Sequence, residues 1–192
     1  MPSLAATKAS ARNILRRFRR SRAGSAAVEF ALIAPVFFAL LFAIIEVALM
    51  FFASQVLESV TQDSARALMT GQAQTGAVAS CAVGGVATPC TQQTFQQYAC
   101  SQIPGLFTCA NLYVDVESYP SFSNVTINSQ IVGGNFNSGA MLYNPGGPGD
   151  TVVVRMFYQW PLFVTGLGFN IANLSGNKRL LAATAAFQNE PY

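Results

Sequence analysis

Residues 30–45, FALIAPVFFALLFAII, contain no charge, and after Glu46 the run VALMFFA carries the apolar character on to Ala53. As a helix rising ~1.5 Å per residue, 30–53 reaches roughly 36 Å, enough to cross a ~30 Å hydrocarbon core with some tilt. A chain that is 52% hydrophobic and 10% charged is also more apolar than an ordinary soluble domain of 192 residues. The segment is therefore expected to span a bilayer. A cleaved secretory signal would have a shorter core and a small-x-small site after it, and ALMFFASQ places Phe51 there instead.

Charge orients the span. Lys8, Arg12, Arg16, Arg17, Arg19, Arg20 and Arg22 precede Gly24 with no acid among them. The four remaining basic residues face all eight acidic ones, so the rest of the chain is net negative. Basic residues stay on the cytoplasmic side, and the chain beyond the span crosses. The arginines orient the chain and touch anionic lipid. Nothing after Arg22 extends a basic surface, so no nucleic-acid partner is expected.

Past the membrane, Leu57, Thr61, Ser64 and Leu68 fall at i, i+4, i+7 and i+11, with Val60 and Ala67 beside them. Gly71 is the expected stop. One helix from about Ala26 to Thr70 follows, its second half packed on an outer domain. Pro35 removes one backbone hydrogen bond, which predicts a kink or local melting there. The domain plan is a cytoplasmic leader at 1–24, a transmembrane helix extending outward at 25–71, and a β-rich head at 72–192.

Cys81, Cys90, Cys100 and Cys109 all lie beyond the span, and there is no histidine. An even count in an exported domain predicts two disulfides, with three connectivities open. The spacings do not suit the paired ligands of a zinc site, so neither metal nor cofactor is expected. In the head, TQQTFQQYACSQIPG predicts a short helix carrying Cys100 and stopping before Pro104. LYVDVES alternates Leu112, Val114 and Val116 against Tyr113, Asp115 and Glu117; NVTINSQI alternates Val125, Ile127 and Ile131 against polar residues. With YPSF between them, 111–132 reads as a hairpin. TVVVRMFYQ is a further strand. Residues 161–174 either rest on the membrane surface or close the core. Asp115 and Glu117 read as a solvated face and Trp160 as core. The glycines of GGNFNSGAMLYNPGGPGD lack the Gly-Lys-Ser/Thr ending of a phosphate loop. The Asn124 and Asn173 sequons read as accidental. With no histidine and few carboxylates to act as bases, no enzyme and no small-molecule substrate are expected.

Glu29 is the anomaly, an acid at the edge of the span. Spacing alone gives it a plain reading, a carboxylate snorkelling at the interface and favoured by the helix N-terminus. RAGSAAVEF, however, resembles the processing site of prepilins and pseudopilins of the tight-adherence (Flp) pilus: Gly24, four residues, then Glu29 and Phe30. EFALIAPVFFALLFAIIEVALMFF resembles the shared N-terminal segment of TadE/TadG-like proteins, Pro35 and Glu46 included. TVVVRMFYQWPL and LLAATAAFQNEPY resemble the family's C-terminal strand and closing signature. The resemblance covers about 70 residues and leaves 72–150 unmatched.

It implies a pilin-like α+β fold and cleavage after Gly24 by a membrane aspartyl prepilin peptidase, with Ser25 as the new N-terminus. A terminal amine and a carboxylate attract strongly in a low-dielectric setting, so the amine of one subunit would pair with Glu29 of its neighbour. Glu46, 17 residues on, lies about 260° further round the helix and cannot share the face of Glu29. It is expected near the outer leaflet, as a snorkelling or protonated acid or in an interhelical contact. The implied protein is a TadE-like minor pseudopilin in the bacterial inner membrane, with its head in the periplasm. Its partners would be pilins, other pseudopilins and the inner-membrane platform. The alternative is an unprocessed, permanently anchored TadG-like scaffold that tethers the pilus machinery or binds the cell wall.

Overall fold

The computed structural model describes residues 24–103, 105, 107–164 and 170–192; the arginines before Gly24 and residues 165–169 lie outside the described set. The architecture is α+β: a long N-terminal helix, then a small domain built on an antiparallel sheet. The chain divides into two units, Met1–Ile45 and Glu46–Tyr192.

Helix α1 spans Ser25–Met69. It passes Pro35 without interruption, so the melting expected there is not seen; the proline ring removes a single bond in an otherwise uniform apolar run. From Ala53 onward α1 belongs to the core of the second unit. Leu57, Thr61, Ser64 and Leu68 are fully buried and Val60 and Ala67 nearly so, the stripe that the 3.6-residue period predicts. Thr61 is tolerated there because its Oγ1 donates to the Leu57 carbonyl at 2.7 Å. The helix stops where expected: Gly71 adopts φ 73°, and its N–H bonds to the Leu68 carbonyl.

Helix α2, Gln92–Ser101, carries Cys100 and opens on a reciprocal Thr91–Thr94 capping box. Strands β1 (Leu112–Tyr119), β4 (Thr151–Pro161) and β5 (Lys178–Gln188) form one antiparallel sheet in the order β1-β4-β5. The minor strands β2 (Ile131–Val132) and β3 (Asn135–Phe136) pair only with each other. One sheet face joins α1 in the main core: Leu112, Val114 and Val116 from β1, Val154 and Met156 from β4, Leu181 and Ala183 from β5. Trp160 also lies in this core, edge-on to Phe107.

The hairpin expected over 111–132 does not form. β1 pairs instead with β4, from Leu112↔Tyr158 to Tyr119↔Thr151. The reason lies in β4: apolar on both faces and buried along nearly its whole length, it needs a neighbour on each side. The segment 125–130 is displaced from the ladder, and there Ile127 is exposed while Gln130 is buried, the reverse of the strand pattern.

Displaced, that segment covers the sheet's other face, which overturns the reading of Asp115 as solvated. Asp115 is completely buried and Arg155, opposite it in register, nearly so. Asp115 Oδ2 accepts from Arg155 Nε at 2.9 Å and also from Nη2; its Oδ1 accepts the Leu142 N–H at 2.8 Å. Arg155 further donates to Glu117 Oε1 at 2.9 Å and to the Asn128 carbonyl at 3.0 Å. The Tyr119 hydroxyl donates to the other Glu117 oxygen at 2.7 Å, and burial, then that carboxylate, push its pKa above the ordinary tyrosine value. Phe136 closes the site between Tyr113 and Phe157.

Both disulfides form, and of the three connectivities the structure has neighbour to neighbour: Cys81–Cys90 and Cys100–Cys109, with Cα separations of 4.9 and 5.7 Å. The second ties α2 to the turn that enters β1. A cross-link closing so short a loop contributes about 2.5 kcal/mol in the chain-entropy account. Serine at both Cys100 and Cys109 should therefore destabilise the head by about that amount in urea unfolding, and reduction of the intact protein by about twice as much.

The C-terminal residues cover the C-terminal end of α1. The Glu190 N–H donates to the Met69 carbonyl at 2.9 Å. Asn189 donates from its side chain to the Pro145 and Gly147 carbonyls at 2.9 and 3.0 Å. Tyr192 lies over Gly71 so closely that a Cβ there would meet the ring at 2.3–2.7 Å. Glycine is thus needed at 71 for space as well as for its backbone conformation.

Candidate assembly segment

The sites read from the sequence fall on α1 and at its start. Gly24 directly precedes the helix, Ser25 is its first residue, and Glu29 and Phe30 follow within two turns, both exposed. From 26 to 45 the helix offers no buried stripe: Phe30, Leu32, Ile33, Leu40 and Ile44 are all exposed. A helix apolar on every side belongs in lipid or among other helices rather than in water. It is the one helix among the described residues long and apolar enough to cross a membrane.

Glu46 is buried, and backbone N–H groups of its own chain hold its side chain. The Phe163 N–H donates to Oε1, and the Val164 N–H reaches Oε1 and Oε2 at 3.2 and 3.1 Å. Two successive amides thus neutralise part of the cost of a carboxylate among apolar groups, and the carboxylate satisfies two amides in a stretch without ladder partners. No pattern in the sequence announces this contact, because its donors are main-chain groups that nearly every residue carries. The four cysteines lie together in the head as two bridges, away from these positions in the chain.

A single apolar helix that runs on into a head of three antiparallel strands defines a membrane-anchorable α+β protein of single-span type. Residues 24–66 match the family model described as TadE-like protein, so over this segment the chain is similar to TadE-like proteins. No curated protein and no solved structure matches it.

Proposed function

We propose that this protein is a TadE-like minor pseudopilin, a structural subunit rather than an enzyme, that helps initiate or assemble a Flp/Tad-type pilus. The observation that supports this reading best is the extent of the family match. It begins at Gly24, the residue after which the leader would be cut, and runs through the apolar span into the part of α1 that packs on the head. The leader is removed by a prepilin peptidase on the cytoplasmic side of the inner membrane, and the head stands in the periplasm.

Assembly is by helix packing. The exposed apolar side chains of 26–45 leave lipid for neighbouring subunits, a transfer with little hydrophobic driving force of its own, so polar contacts set register. The amine of Ser25 and the Glu29 carboxylate of an adjacent subunit are such a contact. The heads then present surfaces to other pilins and to the inner-membrane platform.

Intact-mass measurement of membrane-purified protein tests the reading: the mature chain should begin at Ser25. A chain still carrying the leader would point to the permanently anchored scaffold instead. Glu29→Gln should be processed as the wild type is, yet assemble poorly, because a neutral amide holds an ammonium group far less strongly than a carboxylate does. Unchanged piliation would remove the pairing role.

A further inference from the structure

Glu46 is not the last lipid-like position of α1. Leu49, Phe51 and Phe52 follow it and are 44%, 65% and 54% exposed. Phe52 lies about 9 Å further along the helix axis toward the head. Whatever covers Phe51 and Phe52 therefore reaches past the level of Glu46, and that is the level to which the chain after β4 is tied. Phe163, whose own N–H is bound by Glu46, has a side chain 82% exposed. In water a carboxylate needs no main-chain donors; one that is 7% exposed between apolar residues does.

The same end of the sheet carries cations. Lys178 and Arg179 pair with Pro161 and Trp160 at the last rungs of the β4–β5 ladder, and the Leu162 N–H donates to the Asn177 carbonyl just beyond. Lys178 is exposed. An apolar tip, a satisfied backbone and basic residues one step behind are the elements of an interfacial membrane contact: the tip enters the acyl boundary and the cations remain among anionic headgroups.

We propose that the chain at 162–164 is a second membrane contact of the head. Phe163 inserts at the outer headgroup–acyl boundary, Glu46 satisfies the amides that enter with it, and Lys178 faces anionic lipid. This rests on the reading that α1 spans the membrane. The contact fixes the height and rotation of the head relative to the bilayer, which a single helix alone leaves free.

The test uses the full chain reconstituted in phosphatidylethanolamine/phosphatidylglycerol vesicles, with Phe163→Trp as the probe. An exposed position tolerates the exchange, and the wild type, with the buried Trp160 alone, gives the background signal. Vesicle flotation first reports whether α1 anchors the protein at all. In floated protein, lipids brominated on the acyl chain should quench the added emission at least twofold, and aqueous acrylamide should quench it weakly. Strong acrylamide quenching without lipid quenching would overturn the proposal, since the tip would then stand in water. Protection from both would overturn it too, because a protein surface such as a second copy would be the cover. Protein that does not float would instead overturn the anchorage on which the proposal rests.

Discussion

Gly24→Ala should leave the precursor in the membrane folded but uncut, shifting the population from nearly all mature to nearly all full-length. The expectation rests on an asymmetry between two surroundings of the same residue. Among the described residues a Cβ at Gly24 would meet nothing within 4 Å, so the added methyl disturbs none of their packing. In the proposed peptidase site the scissile backbone must approach a pair of catalytic groups closely, and only glycine brings no side chain to that approach. Loss of cleavage with an unaltered urea midpoint would therefore report recognition rather than misfolding. Retained cleavage, read by intact mass, would mean that the cut does not depend on this glycine. With cleavage blocked, the amine proposed to pair with Glu29 is never released, and piliation should fail together with processing.

Arg155→Ala should be the most destabilising single change in the head, by about 3–5 kcal/mol, because it leaves the Asp115 side chain buried without its partner. Against a typical domain stability of about 5–15 kcal/mol, that is enough to unfold a substantial fraction of molecules. Replacing both partners together, Asp115→Leu with Arg155→Met, should recover much of the loss, since apolar groups of similar volume need no charge compensation in that site. Emission from Trp160 during urea unfolding reads both variants. An Arg155→Ala protein within about 1 kcal/mol of wild type would mean that water reaches Asp115 after all.

What could be read in the chain beforehand follows from how far each contact reaches. Leu57, Thr61, Ser64 and Leu68 declare a helical core stripe because their period is local, and Gly71 ends it by its own backbone freedom. β5 was legible chiefly through the resemblance of its closing residues. Asp115 was misread because alternation along one strand reveals two faces but not what covers either; its cover, 125–130, and its counter-charge, 40 residues away, are decided by β4 choosing β1 as a neighbour. A lone arginine amid Val153, Val154, Met156 and Phe157 was the available signal, since such a residue at the centre of an apolar strand needs an acid opposite. Cysteine pairing stayed open because the spacings fit more than one connectivity. For Glu46 the sequence held no signal: its donors are amides 117 and 118 residues away.

The meeting of Glu190 with Met69 and of Tyr192 with Gly71 joins parts of the chain about 120 residues apart. During synthesis the C-terminal end of α1 emerges early, and these contacts are available only after β5 has followed. Until then Leu57, Val60 and Leu68 have no sheet to lie on, and loop closure over so many residues makes their shelter a late event. A chain made only as far as β4 is thus incomplete by construction, with the apolar stripe of α1 partly bare.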